Sequence, residues 1–205
     1  MFVYPAMKTK HILIGCLALM AGMIVFALFF PVEFTALLKQ PALYGHALFV
    51  HIAAVTLFFS NAVLGMIWER RSLASGSKEA ILHTYRTVAW LDARLSSPLI
   101  IISLIAGLML GFIMGDMWRI GWLSVGFVLF LLSGLVWVLS DIPTQYRVKR
   151  LLASLDPVDP ALPAELTRLL KLRWWIGLAG VVPLAVVFAL MVYKPDLPAV
   201  ASWFR

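Results

Sequence analysis

The stretch "ALFVHIAAVTLFFSNAVLG", Ala47 to Gly65, is apolar enough for the interior of a bilayer, yet it carries an imidazole at His51. A polar ring in hydrocarbon costs on the order of several kcal/mol unless its nitrogens are satisfied. An ionisable residue inside a membrane span therefore points by default to function. Neutral histidine offers one donor and one acceptor, and its free nitrogen coordinates heme iron or copper. His51 thus has three possible uses: a structural hydrogen bond to a serine, threonine or carbonyl of another helix, ligation of a metal or heme, and proton relay. At about 3.6 residues per turn, His51, Phe58, Gly65 and Glu69 lie near one line with Val55 alongside. His51 is expected to face other helices, and Gly65 to leave a notch for a neighbour or a flat ligand. His46 points about 140° away, so the two histidines do not readily chelate one ion.

A second polar group opens a later apolar run, "TVAWLDARLSSPLI". Asp92 and Ser96 are one turn apart and Ser103 falls on nearly the same face, so a polar track is expected to enter among the helices here. An ion pair between Asp92 and a neighbouring cation is one reading. The other gives Arg94 an anionic ligand, a porphyrin propionate or a lipid phosphate, because guanidinium grips such oxygens bidentately. The methionines are scattered among leucine and isoleucine and read as packing, not as a copper-binding box. No Ser/His/Asp set, paired carboxylates, phosphate-binding glycine loop or H-E-x-x-H pattern appears, which sets aside hydrolase and kinase chemistry. With the single cysteine Cys16, neither an intramolecular disulfide nor a multi-cysteine metal site can form.

The elements that must position these residues are membrane helices. Of 205 residues, 62% are hydrophobic and 13% charged, against roughly 25% charged in soluble domains. The formal charge of +7 lies between apolar segments and not in a basic stripe, so nucleic acid is not an expected partner and the lipid bilayer is. Five apolar runs, 11–30, 42–68, 88–114, 120–140 and 174–193, are each long enough to cross a bilayer. The whole chain, 1–205, reads as a single transmembrane domain, all-α, a polytopic bundle of five spanning helices. Lys8, Lys10, Arg70, Arg71, Lys78, Arg86 and the cations from Arg147 to Arg173 fall on one side, against Lys39, Arg119, Lys194 and Arg205 on the other. By the positive-inside rule the N-terminus is cytoplasmic and the C-terminus outside. His51, about 13 Å from the outer end of its span by helix rise, then belongs to the non-cytoplasmic half. The "LIGC" around Cys16 is no lipoprotein signal, since hardly any apolar run precedes it, and the first run is expected to be retained as a span.

The connection 141–173 reads as cytoplasmic and amphipathic, broken by the prolines of "DPVDPALP". "DIPTQYRVKRLLASL" has an aspartate placed as a cap, and "PAELTRLLKLRWW" runs into the last span; both are expected at the headgroup level, with lipid preferred over a protein partner. Ser103, Gly107 and Gly111 recur every fourth residue, and Gly177 and Gly180 lie near the start of the fifth span. Such stripes let another helix approach closely.

The stretches "HIAAVTLFFSNAVLGMIWERR", "RTVAWLDARLSSPLIIISLIAGLML" and "WWIGLAGVVPLAVVFALMVYKPD" resemble the bacterial integral membrane family DUF2269 over about 42–196, leaving the first span as an addition. More remotely the layout is similar to HemJ-type protoporphyrinogen oxidases and CopD copper-resistance membrane domains. In the HemJ type a histidine of the corresponding helix is thought to bind heme, and His51, Arg94 with Pro98, and Lys194 with Pro195 match its pattern. The lysine those proteins carry in the next helix is missing from "IGWLSVGFVLF", so the resemblance implies heme binding without implying protoporphyrinogen oxidation. It points to heme b as cofactor, His51 as iron or metal ligand, Arg94 and Gly65 as cofactor contacts, and a quinone or membrane redox partner in the bacterial inner membrane. The alternative is a non-catalytic membrane subunit or assembly factor, as an oligomer or part of a complex.

Overall fold

In hydrocarbon a backbone N–H has no water to bond, so an apolar run that crosses as a single segment must fold as a helix. The computed structural model describes residues 6–154 and 162–203 and contains five helices long and apolar enough to span a membrane: His11–Phe29, Pro41–Ala74, Lys78–Met114, Gly121–Ala153 and Ala164–Tyr193. Among the described residues there is no strand. The elements are α1 (Ala6–Phe29), α2 (Pro31–Leu38), α3 (Tyr44–Ala74), α4 (Lys78–Leu91), α5 (Ser97–Met114), α6 (Gly121–Val136), α7 (Ile142–Ala153) and α8 (Ala164–Tyr193). Five-residue π turns, Asp92–Ser96 and Trp137–Asp141, join α4 to α5 and α6 to α7 without a break.

The helices outrun the apolar runs that announce them. The second continues to Ala74 and the third begins at Lys78, while the fifth begins at Ala164. Thirty residues rise about 45 Å, well beyond roughly 30 Å of hydrocarbon. Hydropathy registers the part suited to lipid, whereas the hydrogen-bonded helix continues through charged residues of good helix propensity. The expected break at "DPVDPALP" falls largely in 155–161, outside the described residues. The gap "PVEFTALLKQP" holds α2, which starts with Pro31 where a missing N–H costs nothing and has Glu33 in its first turn.

The chain forms two compact units, and two of their boundaries fall inside continuous helices. One combines the chain up to Asn61 with Trp90–Met117. Here α1 and α2 pack on α5, and Phe34 joins them by edge-to-face contacts with Phe26 and Phe112, centroids 5.8 and 6.2 Å apart. Ser103 and Gly111 of the small-residue stripe are buried in this unit.

The other unit combines Ala62–Ala89 with the chain from Trp118 onward. Its α6 and α8 pack side by side, with Met191 against Gly126 and the Ser133 hydroxyl donating to the Gly180 carbonyl at 2.6 Å. Gly177 admits the Met66 thioether. The segments expected to lay their apolar faces on lipid cover one another instead. Val148 and Leu152 of α7 close with Ile81 and Tyr85 of α4 and Leu166, Leu169 and Leu170 of α8 into one core, where Ile81 and Leu166 are fully buried. Asp141 is not a cap: its side chain makes no capping bond, and it ends the second π turn.

Candidate functional site

His51 lies in α3, where its apolar neighbours fix the helix but give its nitrogens nothing to bond. The partner comes from α5. His51 Nδ1 is 2.8 Å from the Ser103 carbonyl oxygen. A carbonyl only accepts, so the proton of the neutral ring is on Nδ1 and the lone pair on Nε2. Ser103 can spare the carbonyl for a neighbouring helix while its own hydroxyl donates to the Ile100 carbonyl at 2.8 Å. One turn on, Gly107 makes the approach possible: a Cβ there would stand 2.9 Å from His51 Cε1 and 3.1 Å from Nδ1. Ser103 and Gly107 of the stripe thus receive the imidazole. Of the four histidines, His51 is half-buried and His11, His46 and His83 are exposed.

Further along the same helices, Asn61 Nδ2 donates to Ser96 Oγ at 2.8 Å, a second polar latch between α3 and the π turn. Ser96 and Ser103 thus both engage α3, as the expected polar track requires. Arg94 also lies in this turn, with its guanidinium carbon 5.1 Å from the Trp90 ring centre. Such stacking holds an arginine against an aromatic face. At Gly65, in the other unit, the neighbour is Val88, whose methyl groups lie 3.6 and 3.8 Å from the place of a Cβ. Lys194 ends α8 in a left-handed conformation, φ +45°, with its ammonium 5.5 Å from the Trp122 ring centre.

A denser polar constellation, not anticipated from the sequence, lies in the second unit. Arg173 Nε donates to both oxygens of Glu69, at 2.9 and 3.1 Å, and Nη1 lies 3.0 Å from Asp141 Oδ1. The three side chains are 6%, 7% and 14% exposed. The Tyr85 hydroxyl hydrogen-bonds to Glu69, and its ring centre is 5.9 Å from the guanidinium carbon. One cation thereby ties together α3, α4, the second π turn and α8. Helical spacing puts Glu69 on an inward line, but by sequence alone Arg173 reads as a loop cation and Asp141 as a cap. The available signal is Arg173's position in "LKLRWWIGLAG", where a charge adjoins an apolar run with no proline between them. Nothing local can name its partner, 104 residues away.

Among the described residues no group of three or more His, Cys, Asp or Glu side chains could hold a metal ion. A family described as predicted integral membrane protein, DUF2269, matches residues 46–195, close to the 42–196 of the sequence resemblance. It takes in most of α3 and everything to the end of α8, and leaves α1 and α2 outside. Neither a curated protein nor a solved structure matches the chain.

Proposed function

The chain belongs to the DUF2269 family of integral membrane proteins, and we propose that it is a redox-active membrane protein that holds one heme b on His51. The observation that carries this reading is the bond from His51 Nδ1 to the Ser103 carbonyl. Ligating histidines characteristically donate their second ring nitrogen to a carbonyl or carboxylate, which fixes the tautomer and raises the basicity of the ligating nitrogen. A bare metal ion needs several protein ligands, and the described residues gather no such set. Heme iron brings four nitrogens of its own and asks for one side chain, so the donor set fits a heme better than copper or zinc. Arg94, in the π turn that leads into α5, is the candidate partner for a propionate, since guanidinium binds such oxygens bidentately. The group would supply one-electron chemistry, with a quinone or a membrane partner as the other party. The lysine and arginine asymmetry supports a bacterial inner membrane and a cytoplasmic N-terminus.

A second reading, a non-catalytic membrane subunit or assembly factor, is favoured by Val88 filling the Gly65 notch. There His51 serves as a latch between α3 and α5. A visible spectrum separates the two. Protein produced with ample heme is expected to show a Soret band that His51→Ala abolishes and His83→Ala preserves. Colourless protein, or absorption that survives His51→Ala, hands the site to the second reading.

A further inference from the structure

Along the last turns of α3 and the first turns of α8 runs an open groove of about 440 Å³, wholly within the second unit. Its walls are almost wholly apolar, and two arginines stand at one end. Val63, Met66, Leu178 and Val181 line one end, and Arg70, Arg71 and Trp174 line the other. The two helices run antiparallel here, so Val63 and Val181 share a level and Arg70 and Trp174 share another. From Val63 to Arg70 the rise is about 10 Å. Arg70 is held by an aromatic face, its guanidinium carbon 5.1 Å from the Trp174 ring centre. Among the described residues neither Arg70 nor Arg71 has a carboxylate partner. Arg173, adjacent to Trp174, is paired with two acids.

We propose that this groove binds one anionic phospholipid, with an acyl chain on Val63, Met66, Leu178 and Val181 and the phosphate between Arg70 and Arg71. The charge is complementary, since two consecutive arginines without acids offer donors to a phosphate diester's oxygens. The gradient is also that of a lipid: aromatic and cationic side chains lie at headgroup level and aliphatic ones a few turns deeper. A soluble anion would make no use of the apolar end, and a zwitterionic lipid would not need both arginines.

The test is a lipid titration of the detergent-purified full chain by native mass spectrometry, with phosphatidylglycerol and phosphatidylcholine of identical chains as probes. Two arginines near a phosphate predict about thirtyfold preference for phosphatidylglycerol. In R70Q/R71Q, at two exposed positions outside the packed core, the preference is expected to fall to about unity, and Arg70→Lys is expected to retain part of it. Val181→Trp, which fills the apolar end, is expected to weaken both lipids together. sn-Glycerol 3-phosphate, the headgroup without chains, is expected not to compete. Equal binding of the two lipids, preference that persists in R70Q/R71Q, or full competition by sn-glycerol 3-phosphate would each overturn the proposal.

Discussion

Replacing Arg173 with methionine keeps most of the side chain's length and removes its charge. Glu69 and Asp141 are then left without a cation in a site where both are nearly excluded from solvent. Breaking a buried ion pair by deleting one partner typically costs about 3–5 kcal/mol, because the remaining charge stays buried and unpaired. Arg173 serves two acids through three short contacts of 2.9, 3.1 and 3.0 Å, so the upper half of that range is expected. A pair exposed at a surface would lose at most about 1 kcal/mol. The two cases differ enough for reversible unfolding in mixed detergent micelles to decide between them.

A double-mutant cycle sharpens the measurement. Glu69→Gln alone removes one acid and leaves Arg173 matched to Asp141, so about 1–3 kcal/mol is expected. In the combined variant the buried charge that made Arg173→Met so damaging is partly gone. The two changes should therefore couple by about 1.5 kcal/mol or more and not add. A loss below about 1 kcal/mol for Arg173→Met, or strict additivity with Glu69→Gln, would show that the triad does not hold α3, the second π turn and α8 together.

Gly107→Leu should drive the His51 ring off the Ser103 carbonyl, because even a Cβ would stand 2.9 Å from a ring carbon. A loss of about 1–3 kcal/mol is expected, read as a lowered midpoint in detergent unfolding, and an unchanged midpoint would place that face of α5 away from His51. Membrane sidedness is checked by cysteine labelling in a Cys16→Ser background. Ser75→Cys, after α3, and Asp196→Cys, after α8, are separated by three crossings and should label from opposite sides, whereas labelling from one side refutes the five-span arrangement.

Composition and run length are enough to read the all-helical class and the number of long apolar helices, because lipid leaves a crossing segment no other backbone arrangement. The boundaries are less legible: "ERR" after Trp68 and "TYR" before Val88 look like interfacial loops, yet both are helical. The inward face of His51 is readable from helical spacing, but its partner is not, since a backbone carbonyl carries no side-chain signature. For Ser103 the sequence suggests a small-residue contact and misses the acceptor. The ionic triad escapes because its members lie in three distant helical segments, and because an arginine beside an apolar run is ordinarily a topology signal. The segments 141–153 and 164–173 are legible as amphipathic. What covers their apolar faces is not, since lipid and a neighbouring helix ask for the same pattern.

Two prolines explain how residues on uninterrupted helices come to meet these partners. Pro98 and Pro143 each occupy the second position of a helix that directly succeeds a π turn. In a regular α-helix a proline clashes with the carbonyl four residues back and leaves it without a donor, a severe cost in lipid. Widening the preceding turn removes the clash: Ser97 N–H bonds the Asp92 carbonyl and Ile142 N–H bonds the Trp137 carbonyl. Hydroxyl groups add further donors, from Ser97 to the Asp92 carbonyl and from Thr144 to the Ser140 carbonyl, both at 2.7 Å. Each widened turn accommodates one extra residue and so rotates the helix on its N-terminal side by about 100° relative to the helix on its C-terminal side. The helical faces on the two sides of each turn therefore no longer follow one continuous spacing. Ser96 meets Asn61 from the first turn, and Asp141 meets Arg173 from the second. In this chain proline acts less as a helix stop than as a register shift, one in each unit, aimed at a polar contact that holds helices together.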